Sequence, residues 1–409
     1  MLWRRLAATC TLALFGAWMP TFGDYLTLSR DAPIREQPDS RSEIAVRGTV
    51  GDVLPLLDDG EQANGYYHVQ LGWVYRTHVR RHRGAPPGEP VPAPSGNAGT
   101  RPLSGEFQIH FLDVGTGDSA IIDMGDREIV IDGGDSVRVL HDYAARTGLI
   151  EDPIELVVVT HGDSDHWRGL VRLLGFDGQA ATPHAVLEFW EPGYDRDCRP
   201  LEAYDEFILD VGRVPGVVFR RPLEATFPPA TTTLEPTPVQ LPTLPGVTFT
   251  VLHTARDPEA SNGDCAYRIN NASIVLRIDL GGHRFLFTGD ANGKERDEAS
   301  PGTPGHVEEK LLALERIHPG TLRADVLKVP HHGSETASTQ AFIDAVDPQF
   351  VVVSASTKHH LPRETTMQRY APRTILRTDE HPENDIDHVV CGLDEDRKLT
   401  CNFRTVLEE

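Results

Sequence analysis

Positive charge is scarce in this sequence. Thirty-nine lysines and arginines stand against 61 aspartates and glutamates, for a formal net charge of −22 over 409 residues. That balance favours solubility and excludes broad electrostatic wrapping of nucleic acid, which needs many phosphate-neutralising cations. It leaves room for a local basic or metal-lined cleft. Long apolar runs are also scarce. The stretch LAATCTLALFGAWM near the start holds 14 residues, short of the ~20 that cross a bilayer as a helix. Behind the basic MLWRR and ahead of PTFG, it reads as an export signal over residues 1–23, cleaved before Asp24. No integral membrane span is then expected in the mature chain, which would be periplasmic or secreted. No internal repeat is evident. Cysteine is sparse at five. Removing the signal takes Cys10 and leaves Cys198, Cys265, Cys391 and Cys401, and an even number in an exported chain points to disulfides. Cys391 and Cys401 flank GLDEDRKLT, a hairpin turn, so a cross-strand bridge is expected there, with Cys198 and Cys265 as the second pair. Four cysteines allow three connectivities.

What is present falls into segments. Residues 24–83 carry short strand-like runs broken by turn residues, such as YLTLS, EIAVRGTV and YYHVQLGWVYRTHV, the spacing of a small all-β barrel. With APIREQPDSRSEI and GTVGDVLPLL, these pieces resemble the bacterial SH3-like domains of exported proteins. The resemblance implies a binding or targeting module toward cell wall; a folded spacer is the other reading. Residues 84–104 are rich in Pro and Gly, with six Pro and four Gly in GAPPGEPVPAPSGNAGTRP, which marks a semi-extended linker and a domain boundary. A larger domain is expected over 105–409. A second Pro/Thr-rich run at 221–246 reads as an exposed loop inside it. From residue 105 onward two sets of short, β-branched strands appear. The first runs from FQIHFLDV to IELVVVTH and the second from VTFTVLHT to FVVVSAS. Amphipathic helices intervene, among them DHWRGLVRLL with Trp167, Leu170, Val171 and Leu174 on one face. Two strand-rich halves with helices outside predict an α/β fold layered as an αββα sandwich.

Acidic and imidazole residues cluster at the C-terminal ends of the apolar strands. LVVVT ends in His161, FTVL in His253, FLFTG in Asp290 and VLKVP in His331 and His332. One such histidine is ordinarily a packed core residue. Five such positions are not explained by packing, because buried imidazoles and carboxylates are costly unless paired or metal-bound. In an extended segment His161 and Asp163 share a face and can converge on one ion. Asp165 and His166 open the following helix and can serve a second. A carboxylate such as Asp290 can bridge two ions ~3.5–4 Å apart, with water or hydroxide between them.

THGDSDHWRGL, LFTGDA and VLKVPHHGS resemble the metal motifs of the metallo-β-lactamase superfamily. FLDVGTGDS followed by IDGG, then NNASIVLRI, TGD and PHHGS, resembles the hydrolase domain of the competence (ComEC-type) DNA-uptake proteins and their stand-alone relatives, over residues 107 to about 385. The resemblance implies two divalent metal ions, zinc or manganese. His161 and Asp163 would hold one, with His253 as a third ligand or an ordinary strand-end histidine. Asp165, His166 and His332 would hold the other, and Asp290 would bridge. His331 would contact or protonate the substrate, the choice between His331 and His332 as ligand staying open. Asp165 and His331 are the candidate catalytic residues. Where the broader superfamily has H-x-H-x-D-H, Asp163 replaces the second histidine, as in competence-type relatives, and gives an oxygen-rich site that relaxes selectivity from zinc toward manganese. Thr116 stands where that subgroup commonly has glutamine. Asp113 and Asp118 would bond loop amides and Asp132 would support the metal loop. Asn271 and Ser273 would brace it. His184 reads as surface, and His359 and His360 as a polar loop or a substrate contact. The insertion at 184–246 would overhang the site, with Trp190 and Tyr194 stacking on substrate or packing the loop.

The resulting expectation is an exported phosphodiesterase or phosphoesterase acting on a small or polymeric phosphoester, with nucleic acid as substrate only. The alternatives are hydrolysis of an ester, lactone or β-lactam by the same site, and a wall-binding protein with a vestigial one.

Overall fold

A computed structural model of the chain describes residues 25–48, 53–56, 62–69, 71–82, 107–180, 183–194, 202–221, 238–254, 264–295, 303–355, 359–379 and 387–405. The expected signal at 1–23, the linker at 84–104, Cys198 and most of the Pro/Thr-rich run lie outside the described residues.

The N-terminal part is all β. It comprises β1 (Tyr25–Leu28), β2 (Ala32–Arg35), β3 (Ile44–Gly48), β4 (Val53–Pro55), β5 (Gln62–Ala63), β6 (Tyr66–Val69), β7 (Gly72–Tyr75) and β8 (Val79–His82). They form a three-stranded sheet ordered β4-β1-β8 and a five-stranded sheet ordered β3-β2-β7-β6-β5. Alternation along β1 turns Leu26 and Leu28 inward, the period-2 signature of a half-buried strand.

The larger part holds two sheets. The first contains β9 (Gln108–Leu112), β10 (Ala120–Asp123), β11 (Glu128–Ile131), β12 (Ile154–Val158), β13 (Val186–Trp190), β14 (Val218–Arg220), β22 (Asp387–Leu393) and β23 (Leu399–Thr405). Its order is β14-β13-β12-β11-β10-β9-β22-β23. The second runs in sequence order from β15 (Pro238–Val239) through β16 (Thr248–His253), β17 (Val275–Leu280), β18 (His283–Phe287), β19 (Val326–Lys328) and β20 (Phe350–Val353) to β21 (Thr374–Arg377). Strands buried on both faces read as continuous apolar runs, and successive residues divide between two cores. Ile122, Ile129 and Val158 face the second sheet, where they meet Phe249, Ile278 and Phe285. Ile121, Val130 and Val157 face outward, under α1 (Val139–Thr147), α2 (Ser164–Leu173) and α3 (Glu202–Arg213). Leu286, Leu327 and Val351 of the second sheet face α5 (His306–Ile317) and α6 (Gln340–Val346). Two short helices, α4 (Cys265–Asn271) and α7 (Glu364–Met367), lie in the connections. The layers are helix, sheet, sheet, helix, as the pattern predicts.

The structure adds two details to the sequence reading. The N-terminal sheets touch the larger part directly. The Arg221 guanidinium donates to the carbonyls of Leu71 (3.3 Å) and Ala45 (3.2 Å) while paired with Glu191, and Leu71 packs where a side chain on Gly212 of α3 would sit. Trp190 and Tyr194 do not overhang anything. Trp190 is buried between the sheets against Phe249, ring centroids 5.6 Å apart, and Tyr194 packs on Ile269 and Ala272. The hairpin of β22 and β23 pairs Cys391 with Cys401, and the two are disulfide-bonded. Cys265 is disulfide-bonded as well.

Candidate metal centre

Parallel pairing of β11, β12 and β13, and of β18, β19, β20 and β21, brings their C-terminal ends to common edges. The loops leaving β12, β18 and β19 carry His161 to His166, Asp290, and His331 with His332. Asp163 takes the extended conformation at the N-cap of α2, and Asp165 and His166 sit in its first turn. The segment Pro330–Gly333 is a tight turn in which His331 and His332 both adopt left-handed backbone, with φ of 49° and 51°. Consecutive non-glycine residues rarely do so, and such strain concentrates at functional sites. Gly289 makes the approach of these loops feasible. Its φ is +50°, and a Cβ there would lie 2.9 Å from both Thr160 and Ser273. Ser273 Oγ in turn accepts from the Asp290 amide at 3.1 Å.

The side chains converge on Asp290. Its Oδ1 lies 3.4 Å from His166 Nε2, and its Oδ2 lies 3.3 Å from His332 Nε2 and 3.9 Å from His161 Nε2. Asp163 Oδ2 is 3.9 Å from His161 Nε2, and Asp165 Oδ2 is 3.8 Å from His332 Nε2. Among the described residues, two groups of three have ligand atoms within 4.8 Å of one another and share His166: His161, His166 and Asp290, and Asp165, His166 and His332. Two more include Asp118, once with Asp290 and His332 and once with Asp132 and His166.

Hydrogen bonds set the tautomers. His166 Nδ1–H donates to Asp132 Oδ2 at 2.8 Å. The Thr160 hydroxyl donates to Asp132 Oδ2 at 2.7 Å, so its oxygen accepts from His161 Nδ1–H at 3.2 Å. His332 Nδ1–H faces the Ser354 carbonyl and Asp118 Oδ1, each at 3.1 Å. In all three rings Nδ1 is the donor, so Nε2 is the nitrogen turned to the centre. Those three Nε2 atoms and Asp290 Oδ1 are buried without a hydrogen-bond partner. Buried polar atoms are rarely left so. Convergent imidazole nitrogens and a carboxylate, each steadied from behind by a second partner, fit a divalent cation.

The electrostatics agree. Burial opposes charge on His166, but the Asp290 and Asp132 carboxylates outweigh it and push the imidazole well up. Burial likewise opposes charge on His332, and Asp290 with Asp118 pushes it up to about 10. Burial would raise Asp290, yet His332, His166 and His331 hold it well below the usual carboxylate range. Burial holds His161 well down. Without a cation, protons on His166 and His332 thus balance the buried carboxylate.

His331 stands beside this group, its Nε2 at 3.9 Å from Asp290 Oδ2. Its Nδ1 is held by Thr336 Oγ1 (3.0 Å) and Asn292 Oδ1 (3.2 Å). Its Nε2 faces a cleft of about 370 Å³ lined by Asp163, Asp165, His332, Tyr267, Glu335, His359 and Arg363, among others. His253 is not brought into the group: its Nε2–H donates to the Asn271 carbonyl at 2.9 Å. A register irregularity between Val251 and His253 marks a bulge at the strand end, the kind of feature that re-aims side chains. His184 is part-buried, 3.8 Å from Asp152, away from the cluster residues. His359 and His360 are exposed, and His359 lines the cleft. Asp113 accepts from the Gly115 amide, as expected of a loop brace. Asp118 does more: its carboxylate meets Lys328 and His332. The sequence reading passed over Lys328, Asn292, Thr336 and Thr160. A lysine inside an apolar strand, in VLKVP, was the available signal.

Residues 112–256 match the model of the metallo-beta-lactamase superfamily. The chain is 24% identical over 305 residues to ComE operon protein 3 of Bacillus subtilis (strain 168), covering 68% of this chain and 33% of that protein. It is 34% identical over 114 residues to competence protein ComA of Neisseria gonorrhoeae, covering 27% and 14%. The chain therefore spans well under two thirds of either relative's length. Among solved structures it is similar to a diphosphatase of the PhnP family, with TM-score 0.36 and 14% identity over 73% of this chain and 98% of that one. It is also similar to a metallo hydrolase of the archaeon Ignicoccus hospitalis, with TM-score 0.37 and 13% identity over 73% and 100%. Among the described residues no helix is long and apolar enough to cross a membrane.

Proposed function

We propose that the chain is an exported hydrolase of phosphoesters, phosphodiesters foremost, that uses two divalent cations. The observation that carries this reading is the convergence on Asp290 of His166 at Oδ1 and of His161 and His332 at Oδ2, with the inward nitrogens unpartnered. His161, Asp163 and His166 would hold one cation, Asp165 and His332 the other, and Asp290 both; His253 is left out of the set. When bound, the cations supply Lewis acidity at phosphoryl oxygens and lower the pKa of water toward neutrality. Asp163, Asp165 and Asp290 make the donor set oxygen-rich, which suits manganese as well as zinc.

The chain's own residues complete the chemistry. Asp132, Thr160 and Ser354 orient the imidazoles. Thr336 and Asn292 accept from His331 Nδ1–H and fix the ring, so Nε2, which carries no proton, is the atom that would contact the substrate as an acceptor. Arg363, tied to the histidine turn by its amide hydrogen bond to the Gly333 carbonyl at 2.9 Å, is the one arginine or lysine among the described residues lining the cleft, alongside Asp163, Asp165, Asp290 and Glu335, and it would receive an anionic part of the substrate. The motif resemblance to the hydrolase domain of competence DNA-uptake proteins, with relatives named as a ComE operon protein and a competence protein, keeps nucleic acid among the candidate substrates. The N-terminal strands are read as an SH3-like module whose partner is cell wall.

Metal-loaded protein should hydrolyse bis-p-nitrophenyl phosphate in preference to nitrocefin. The reverse preference would replace this reading with ester or lactam hydrolysis. Hydrolysis of neither, with no metal retained, would leave a vestigial site on a wall-binding protein.

A further inference from the structure

Lys328 is buried, at 3% exposure, and a lysine is almost never found so without a partner. It ends β19, where Leu327 faces the outer helices and Val326, one residue earlier, faces the other sheet. Period-2 alternation therefore turns Lys328 inward, between the sheets. There its ammonium meets Asp118 Oδ2, from the loop after β9 in the opposite sheet. The other oxygen of Asp118 lies 3.1 Å from His332 Nδ1. The backbone of Asp118 is tied into the same centre: its amide donates to the Asp165 carbonyl at 3.2 Å, and its carbonyl accepts from Gly134 at 2.8 Å.

Asp118 is thus ambiguous by position. It belongs to two of the groups able to hold a cation, yet both its oxygens already face cationic or donor groups. We infer that Lys328 decides the matter: although Asp118 Oδ1 has no hydrogen bond of its own, Lys328 is a positioning residue that pins Oδ2, sets Oδ1 against His332 Nδ1–H beside the Ser354 carbonyl and keeps Asp118 from serving as a ligand. The physical reason is charge. A fixed ammonium against Oδ2 repels a divalent cation from that corner while leaving Oδ1 free to accept. His332 is then locked with Nε2 toward Asp290 and Asp165. The arrangement parallels Asp132 behind His166, with one addition, a buried cation that neutralises the supporting carboxylate.

This inference rests on the proposed metal site but is tested apart from any hydrolysis. The dissociation constant of the full chain for Zn²⁺, by chelator competition, and the absorption spectrum of the Co²⁺ form are compared for wild type, K328M, K328R, D118N and the K328M/D118N pair. Loss of a supporting partner typically weakens a site ~10–100-fold, and that is the loss expected for K328M and for D118N. K328R should retain most of the affinity. Because Lys328 acts through Asp118, the double variant should match D118N to within about twofold. The Co²⁺ spectrum should shift in K328M as the ligand field at His332 changes. If K328M does not fold, D118N, which keeps the shape of the side chain, carries the test. Wild-type or tighter affinity in folded K328M or D118N, or losses that multiply in the double variant, would overturn the inference while leaving the proposed function standing. A wild type that binds no metal would overturn the proposed function itself.

Discussion

Asp132 accepts a hydrogen bond from His166 Nδ1–H at 2.8 Å and, through its second oxygen, one from the Thr160 amide at 2.8 Å. This one buried carboxylate, on left-handed backbone with φ of 59°, ties the IDGG turn to the strand end that bears His161 and to the helix that bears His166. Asp132→Ala should therefore free the His166 ring to turn and weaken metal binding by ~10–100-fold. Asp132→Asn should weaken it too, since a single amide oxygen cannot accept from both the Thr160 amide and the His166 ring. Isothermal titration with zinc checks both.

Gly117 carries the next prediction. Its φ is +104°, and a Cβ would lie 1.8 Å from the Asp165 carbonyl oxygen. Gly117→Ala should push the loop bearing Asp118 off the start of α2, costing on the order of 2–4 kcal/mol of stability. It should lower metal affinity at the same time. Chemical denaturation with and without zinc separates the two effects.

Metal binding should strengthen as pH rises. His166 is pushed well up and His332 to about 10, against burial, by Asp290 with Asp132 and Asp118. Both rings are then protonated near neutrality in the metal-free chain, and a cation must displace those protons. The logarithm of the association constant should climb with pH through the neutral range and keep climbing toward pH 10. A flat profile above pH 6.5 would contradict the assignment of these rings as ligands.

A second pH effect belongs to the opposite end of the first sheet. Glu128 and Glu155 lie side by side on β11 and β12, and the Glu155 carboxylate accepts from the Glu128 amide at 2.8 Å. Burial, with Glu155 adding, pushes Glu128 up to about 9; burial pushes Glu155 up to about 7. Raised carboxyl values mean that the folded chain binds more protons than the unfolded one, so stability falls as pH rises. The stability is fully present below about pH 4.5 and is lost through pH 7 to 9. Glu128→Gln should be stabilising at pH 8 by on the order of 1–3 kcal/mol and nearly neutral at pH 4. Thermal melts at the two pH values decide it.

Much of this was legible in the sequence, and the reasons are local. His161, Asp163, Asp165 and His166 fall within six consecutive positions, so a strand end and a helix start suffice to gather them. Trp167, Leu170 and Leu174 are buried on the predicted face of α2. The sequence leaves His253 open between third ligand and ordinary strand-end histidine because strand-end position alone does not show where the ring points, and the bulge after Val251 accompanies its bond to the Asn271 carbonyl. It leaves Trp190 between stacking on substrate and packing because nothing local reveals the second sheet that covers it. The contact of Lys328 with Asp118 joins residues 210 apart, and no periodicity connects them. Only the face-to-face packing of the sheets brings them together.

The central claim is that the cluster around Asp290 is a two-cation site. The most direct test is the metal content of the purified full chain after loading with zinc or manganese and exhaustive buffer exchange, alongside Asp290→Ala. The account predicts about two ions per chain for the wild type, as expected for a carboxylate-bridged pair, and loss of both in the variant. Retention of none by the wild type, or the same content in Asp290→Ala, would contradict it.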